Sequence, residues 1–301
     1  MRLAIATIAI LLALPAGCGK HKTTAAPSPR IVTLAPSITE MAFDMGLGDH
    51  VVGVDKYSVL PEGQKRTVVS DAFQPNSEAI LAEEPDIVFY NQKDSDFDAL
   101  RRLKPSVQLI RLRNDKLADL RASVMKMGEA MKREDLAKAM LQRIDADMDA
   151  VVGAVAGKGR PRVLFVLGID HPSTAGLNTW MDELIGLAGG TNLASQEGVS
   201  EWRDLNVETI LKLRPDVLIC LTPPGEQNKR TAREYWMSLK GLPAVQNGRV
   251  YVTDNQAITI AGSKVGQTAR EIAGMIHPEA FVPAASGPAT SNRPVKLESR
   301  P

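Results

Sequence analysis

The sequence predicts an α/β fold of two similar lobes with parallel sheets, joined by a long connecting helix. Three features lead to this prediction. Short apolar segments alternate with helical patterns, one long stretch is helical throughout, and one pattern occurs twice. The chain of 301 residues is long enough for one large domain or two ordinary ones. Its formal net charge of +1 indicates no basic surface for nucleic acid.

Seven segments have the composition of buried strands. They are short, rich in β-branched residues and without strict alternation of apolar and polar positions, which is typical of parallel strands covered on both faces. Helical patterns separate them, so each lobe is predicted to be Rossmann-like. The segments are residues 30–35, 51–54, 86–90, 107–112, 162–167, 216–220 and 249–253.

Residues 114–155 contain no proline and few residues that favour strands, and their apolar residues form two stripes at helical spacing. The pattern predicts one long helix or two consecutive helices, within a connecting segment of 114–160. This segment separates an N-terminal lobe of 30–113 from a C-terminal lobe of 161–278. A helix packed across both lobes is favoured over an adaptable methionine-rich binding surface. The stripes are Leu117, Leu120, Val124 and Met131, then Leu136, Met140, Ile144 and Met148.

One pattern occurs twice, as NSEAILAEEPDIVFY at 76–90 and as NVETILKLRPDVLIC at 206–220. The asparagine that opens each copy is predicted to cap a short helix by accepting a main-chain N–H. The Pro-Asp pair then ends the helix and begins a strand, because a residue before proline avoids the α region. A weaker echo begins at Arg30 and at Arg162, so the repeat extends to two similar lobes.

The ends of the chain are predicted to lie outside the fold. Residues 1–17 have the pattern of a secretory signal, since one basic residue precedes an apolar run too short to span a membrane. The run ends at Cys18 in the order of a bacterial lipoprotein cleavage site, which predicts a lipid anchor at Cys18 in the periplasm or cell envelope. Pro15 departs from that order, and ordinary cleavage is the alternative. Residues 18–29 have the composition of a linker and 279–301 that of a disordered tail.

The sequence lacks the motifs of common catalytic and nucleotide sites. It contains no glycine-rich phosphate loop, zinc-protease helix, CxxC pair or nucleophile elbow. The four histidines lie far apart in the chain, so neither a metal site nor an enzyme is predicted. Two facing lobes predict instead a cleft that holds a ligand. An enzyme or a sensor on the same scaffold stays open as an alternative.

Five segments, taken in order, carry a family resemblance. They are RIVTLAPSITEMAFDMGLGDHVVGVDKYSVLPE (30–62), VSDAFQPNSEAILAEEPDIV (69–88), LGIDHPSTAG (167–176), LAGGTNL (187–193) and EWRDLNVETILKLRPDVLI (201–219). The chain resembles the cobalamin- and ferric-siderophore-binding proteins of ABC importers over nearly the whole predicted fold. The resemblance implies a monomer with little hinge motion and no cofactor of its own. It also implies that the bound ligand is delivered to a dimeric permease.

The resemblance also places residues in the cleft. Tyr57, Phe73 and Tyr90 are expected on the first-lobe wall, and Trp202 with the loop after Asp254 is expected opposite them. Flat aromatic walls suit a large conjugated ligand such as a corrin, haem or an aromatic metal chelate. The alternative is that these aromatic residues belong to the core.

The nature of the ligand is predicted from charge. Family members that bind anionic siderophores often use arginines, whose guanidinium groups pair with acidic oxygens. Here the stretch 254–266 is neutral apart from Lys264, which favours cobalamin over an anionic catecholate. Haem stays an alternative, because Tyr57, Tyr90 or His171 could supply an axial ligand.

Glu78 and Glu208 occupy the same place in the two copies of the repeat. The resemblance implies that this pair docks onto arginines of the permease. A local role is the alternative, because a carboxylate in the first turn of a helix is favoured by the helix dipole. The neighbouring Glu83 and Glu84 do not recur in the second copy, which favours the docking role.

Overall fold

The computed structural model describes residues 28–71 and 74–281 of the chain. The predicted signal segment, Cys18 and most of the predicted linker lie outside these ranges, as do Phe73 and residues 282–301 of the predicted tail. The tail was predicted to begin at residue 279, which is corrected here, because residues 279–281 belong to a short helix, Pro278–Phe281. Within the described ranges, no helix is both long and apolar enough to cross a membrane.

The first lobe is built on a parallel sheet with the strand order β3-β2-β1-β4-β5. Its strands are β1 (Ile31–Thr33), β2 (Val51–Asp55), β3 (Thr67–Ser70), β4 (Ile87–Tyr90) and β5 (Gln108–Arg111). Its helices are α1 (Pro36–Asp44), α2 (Ser77–Ala82) and α3 (Asp98–Leu103), with 3₁₀ turns at Gly48–His50 and Asp94–Phe97.

The connector consists of two consecutive helices, α4 (Leu117–Ala130) and α5 (Glu134–Val155), which is one of the two arrangements that the pattern allows. The chain turns between them at Lys132, whose φ of 54° is left-handed. The two helices pack closely, since a Cβ atom on Gly128 would lie 2.6 Å from Cβ of Ala137.

The second lobe contains a mixed sheet with the strand order β11-β10-β6-β7-β9, and β8 pairs with β6. Its strands are β6 (Arg162–Leu167), β7 (Ser173–Ala175), β8 (Thr191–Asn192), β9 (Trp202–Asp204), β10 (Val217–Leu221) and β11 (Val250–Thr253). Its helices are α6 (Trp180–Leu187), α7 (Leu193–Gln196), α8 (Val207–Leu213), α9 (Glu226–Ser238), α10 (Pro243–Gln246), α11 (Val265–Ile276) and α12 (Pro278–Phe281), with a 3₁₀ turn at Gln256–Thr259.

The structure confirms the two-lobe α/β fold and places a strand in each of the seven predicted segments. The second sheet departs from the expectation of a purely parallel sheet. Strand β7 runs antiparallel to β6, and β9 runs antiparallel to β7. This antiparallel pair has no counterpart among the described residues of the first lobe, and it carries part of the cleft wall described below.

One apolar cluster runs through both lobes and the connector. It contains Phe89 of the first lobe, Ile144 and Met148 of the connector, and Phe165 of the second lobe, all of them buried. The methionines on the connector stripes are therefore core residues rather than an exposed binding surface. A continuous apolar core makes independent unfolding of the two lobes unfavourable.

Polar contacts also join the lobes directly. The Ser263 hydroxyl lies 3.0 Å from Glu40 Oε1 and 2.6 Å from Asp44 Oδ2, and donates to one of them. The Lys264 main-chain N–H donates to Glu40 Oε1 at 3.2 Å, and its ammonium group lies 3.6 Å from Glu40 Oε2. These contacts bind α1 of the first lobe to the segment before α11 of the second. A large hinge motion would have to break them.

The repeated pattern builds the same helix start in each lobe. The side chain of Asn76 accepts a hydrogen bond from the Ala79 main-chain N–H at 3.1 Å. The side chain of Asn206 accepts from the Thr209 N–H at 2.8 Å. Both predicted caps are confirmed, and α2 and α8 begin directly after them.

The arginine and the aspartate of the repeat form one clamp in each lobe. The Arg30 main-chain N–H donates to Asp86 Oδ2 at 2.8 Å, and the Arg162 N–H donates to Asp216 Oδ2 at 2.9 Å. Each guanidinium group also donates to a main-chain carbonyl at the end of the repeat helix, at 2.7 Å in the first lobe and 2.5 Å in the second. The clamp fixes where β1 and β6 start relative to the strands that follow α2 and α8.

Candidate functional site

A cavity of about 1040 Å³ lies between the two lobes. Many of its lining residues follow the carboxyl ends of β4, β5 and β6, which is where parallel α/β sheets bind ligands. The first lobe and the connector contribute Lys93, Arg111, Arg113, Asn114, Asp115, Lys116 and Asp119. The second lobe contributes Leu167, Asn178, Thr179, Trp180, Glu201, Trp202 and Thr259.

The second-lobe wall is aromatic. Trp202 begins β9, and 37% of its surface is exposed. Its ring meets Phe165 edge-on, with ring centroids 6.2 Å apart and an interplanar angle of 75°. Trp180 begins α6, is largely buried and also lines the cavity. An indole ring that packs against Phe165 and is partly exposed can stack on a flat ligand.

Two left-handed residues shape the rim of this wall. Asn178 has φ of 67° and Glu201 has φ of 61°, conformations that non-glycine residues rarely adopt. The segments that carry them are tied together, because the Glu201 N–H donates to the Leu177 carbonyl at 2.8 Å. Only glycine fits at position 176, where a Cβ atom would lie 2.1 Å from the Val199 carbonyl oxygen. Strained backbone of this kind concentrates at ligand sites.

The first-lobe wall is cationic. Arg113 is already paired, since its Nε and Nη2 lie 3.0 and 2.8 Å from Asp115 Oδ2. The other three cations, Lys93, Arg111 and Lys116, form no ion pair with the described part of the chain. The Nε atom of Arg111 is buried and has no hydrogen-bond partner among the described residues. Positive charge is therefore available on this wall.

Tyr90 was predicted on the cleft wall, and the structure corrects this. Its side chain is buried against Phe97, with ring centroids 4.0 Å apart, and its hydroxyl donates to Asp94 Oδ1 at 2.8 Å. Burial, followed by the hydrogen bond to Asp94, raises the pKa of Tyr90 to about 12. Tyr90 is therefore a core residue of the first lobe, which is the alternative stated above for these aromatic residues.

Tyr57 follows β2 and is half exposed. Its main-chain N–H donates to Asp55 Oδ1 at 2.8 Å, and the Lys56 ammonium group lies 4.9 Å from its ring centroid. The ring is not part of the cavity lining, so its contact with ligand stays a prediction. The predicted role of Phe73 falls on a residue outside the described ranges.

Asp254 stabilises the turn at Gly225, directly before α9. Its Oδ2 atom accepts the Gly225 main-chain N–H at 3.1 Å, and its Oδ1 atom lies 3.4 Å from the Lys229 ammonium group. The hydrogen bond from Gly225 and the nearby Lys229 lower the pKa of Asp254. Asp254 does not line the cavity, but Thr259 from the loop that follows it does.

Sequence reasoning missed the cations of the cleft. The neutral stretch 254–266 was taken as the source of the cleft's charge, whereas the first lobe supplies Lys93, Arg111 and Arg113. Lys264, the one cation of that stretch, points to Glu40 at the lobe junction. The position of Arg111 could have revealed these cations, because Arg111 is the last residue of a strand that was predicted to be parallel. Ligands bind at the carboxyl ends of such strands.

The two repeat glutamates lie at equivalent, exposed sites. Glu78 and Glu208 are each the second residue of their helix, α2 and α8. Neither carboxylate forms an ion pair within the described residues, and the helix starts are capped by asparagine side chains instead. Both glutamates are therefore free to contact a partner.

A family model described as Periplasmic binding protein matches residues 31–257. The chain belongs to the periplasmic binding protein family. This confirms the predicted resemblance, and it agrees with the two lobes and the cleft between them.

Individual relatives agree with this assignment. The ABC transporter substrate-binding lipoprotein YvrC of Bacillus subtilis is 27% identical over 261 residues, which cover 84% of this chain and 81% of the relative. The vitamin B12-binding protein of Salmonella typhimurium is 28% identical over 246 residues, covering 80% and 86%. The structure of the periplasmic heme-binding protein RhuT from Roseiflexus is 25% identical, with a TM-score of 0.71, covering 84% of this chain and 99% of that one.

Proposed function

We propose that this chain is a substrate-binding lipoprotein that captures a corrinoid in the cleft and delivers it to an ABC importer. Its family supplies the substrate-binding components of such importers. The observation that carries the choice of ligand class is the cleft itself. At about 1040 Å³ it lies at the upper end of the range for ligand pockets, and Trp202 offers a flat apolar face.

A corrinoid is favoured over haem by the side chains at hand. Haem iron in proteins is held by histidine, cysteine, methionine or tyrosine. None of these residue types lines the described cavity, and the Tyr90 hydroxyl is committed to Asp94. Cobalamin carries its own axial base and needs no such ligand. The Salmonella relative is named for binding vitamin B12.

Two alternatives rest on specific observations. Haem is supported by the likeness to a heme-binding protein at 25% identity. A ferric siderophore with acidic groups is supported by Lys93, Arg111 and Lys116, which form no ion pair with the described part of the chain. Both alternatives keep the same cleft and the same route to a permease, and no catalytic step is proposed for any of them.

Delivery requires a membrane anchor and a docking surface. We assign docking to Glu78 and Glu208, because they are exposed, form no ion pair with the described residues and are placed alike on the two lobes. Lipidation of Cys18 is consistent with the name of the Bacillus relative, a lipoprotein. A lipid anchor would hold the binding protein at the membrane that contains its permease.

The proposed ligand is tested by incubating the purified protein with cyanocobalamin, haemin or a ferric catecholate, followed by desalting. Visible absorbance of the protein fraction then reports which ligand is retained. We expect the cobalamin spectrum at about one equivalent, confirmed by calorimetric titration. Retention of haem or the ferric chelate alone would overturn the corrinoid proposal while leaving the transport role intact.

A further inference from the structure

We propose that Lys93, Arg111 and Lys116 form an oxyanion subsite that holds the phosphodiester of the corrinoid's nucleotide loop. This inference rests on the proposed function, because it names the part of the ligand that the first-lobe wall would bind. It also assigns the ligand an orientation. The acidic group would face the first lobe and the flat ring would face Trp202.

The topology brings the three cations to one edge of the first lobe. Tyr90 and Arg111 are register partners at the ends of the parallel strands β4 and β5. Lys93 follows the first of these strands by three residues, and Arg111 is the last residue of the second. Lys116 immediately precedes α4, on the segment that leaves β5. All three residues line the same cavity.

The two aspartates on this wall already accept hydrogen bonds from the protein itself. Asp115 is bonded to Arg113, and Asp119 accepts the Lys116 main-chain N–H at 3.2 Å. Arg111 therefore presents a guanidinium group without an ion pair, and its buried Nε has no partner among the described residues. A buried donor without a partner is unfavourable, and a ligand oxygen would relieve that cost. The planar guanidinium fork fits a phosphate group with two parallel hydrogen bonds.

The opposite wall disfavours the reverse orientation. Glu201 lines the second-lobe side and forms no ion pair within the described residues. A phosphate placed against Glu201 would be repelled, whereas the uncharged amide groups of a corrin could donate hydrogen bonds to it. The cleft is thus polarised, because cations outnumber carboxylates on the first-lobe wall, whereas the second-lobe wall presents a carboxylate beside an indole and no cation among its described lining residues.

The experiment compares cyanocobalamin with dicyanocobinamide, which lacks the nucleotide loop and its phosphate, by calorimetric titration. We expect the wild type to prefer cyanocobalamin by about tenfold or more, the effect of one or two charged hydrogen bonds. Arg111→Gln and the exposed variant Lys93→Gln should each reduce that preference, and Arg111→Gln should bring it to within about twofold. Lys126→Gln is the matched control, because it removes one charge from an exposed position on α4 outside the cavity.

The results separate the subsite from the proposed function. If the wild type binds both corrinoids and Arg111→Gln and Lys93→Gln leave the preference unchanged, the subsite is wrong and the function stands. If the wild type binds neither corrinoid, the function is wrong, and pyrophosphate at constant ionic strength becomes the probe. Trp180 and Trp202 line the cavity, so their fluorescence reports its binding. A response that is lost in Arg111→Gln and kept in Lys126→Gln retains the subsite, and equal responses overturn it.

Discussion

The two lobes share a scaffold and differ in their cleft walls. Each has an asparagine cap, an exposed glutamate at the second helical position and an arginine–aspartate clamp. The walls have diverged, because the first lobe presents cations where two parallel strands end, while the second presents Trp202 on an antiparallel strand. The repeated residues thus build the framework, and the unrepeated residues determine what the cleft binds.

The antiparallel pair β7 and β9 is the largest structural difference between the lobes. It places Glu201 and Trp202 at the edge of the second sheet, beside the strained turn at Asn178. The first lobe has no such pair within its described residues, and its sheet is parallel throughout. An addition to one lobe only can change the ligand without disturbing the scaffold that both lobes share.

The largest expected effect comes from breaking the core that the lobes share. Ile144→Ala should lower the free energy of unfolding by about 2–5 kcal/mol, because it removes a fully packed side chain from the cluster that crosses both lobes. Val152→Ala on the same helix, at a position 43% exposed, should cost far less. Urea denaturation followed by tryptophan fluorescence and by circular dichroism should give one coincident transition. Two separated transitions would show that the lobes unfold independently.

The second-largest effect should be on ligand affinity, through the second-lobe wall of the cleft. Trp202→Ala should weaken corrinoid binding by about 1–3 kcal/mol, the loss typical of a central aromatic contact. The protein should stay folded, since Trp202 is partly exposed. Leu103→Ala provides the comparison, because Leu103 is also an exposed, large apolar residue but does not line the cavity. Calorimetry that finds equal affinity for Trp202→Ala and the wild type would move the ligand away from this wall.

Apolar periodicity was sufficient to predict most of the fold. The buried strands and the connector stripes are long or regular enough to be read directly, and they were confirmed. Four of the described strands were missed: β9 because all three of its residues are exposed, β8 because it has two residues, and β3 and β7 because they are short and only partly buried. Such strands are held by pairing with neighbours in space, which a local pattern does not contain.

The cleft was predicted less well than the fold. Tyr90 shares the apolar cluster of Val88, as alternation along a strand requires, so its place in the core could have been derived from the sequence. Trp202 was placed correctly at the cleft by the resemblance. The charge of the cleft was misjudged, because it depends on which residues end neighbouring strands rather than on one continuous stretch.

Removing the arginine–aspartate clamp of either lobe should cause a smaller loss of stability, of similar size in both lobes. Asp86→Ala and Asp216→Ala each remove the acceptor of one main-chain N–H bond and should cost about 1 kcal/mol of stability. Similar losses in thermal or urea denaturation would show that the two clamps are equivalent. A loss confined to one lobe would mean that the clamp is structural in that lobe and incidental in the other.

The smallest effect is a pH dependence found in the second lobe. The pKa of Asp254 is lowered in the folded protein, so its contribution to stability is present above the ordinary carboxyl pKa and is lost as the pH falls through the folded value. Asp254→Ala should therefore lower the melting temperature at pH 7, and the gap to wild type should narrow below about pH 3.9. The exposed Asp49→Ala serves as the control. A gap that is constant with pH would contradict this account.

Association with the permease shows whether the repeated residues serve a function beyond the scaffold. Glu78→Ala with Glu208→Ala removes one exposed carboxylate from the same place on each lobe. Charges at an interface mainly set orientation and association rate, so the double variant should lose more than either single variant. The control is Glu62→Ala with Glu234→Ala, which removes two exposed charges outside the repeats.

The measurement is association of the ligand-loaded protein with its permease in nanodiscs, followed at increasing salt. We expect the Glu78 and Glu208 double variant to bind ligand as the wild type does. Its association with the permease should be weak and should depend little on salt. The control pair should associate normally, with the salt dependence of the wild type. If the double variant docks as well as the wild type, the repeated glutamates serve only the helix starts, and they do not form a docking surface for the permease.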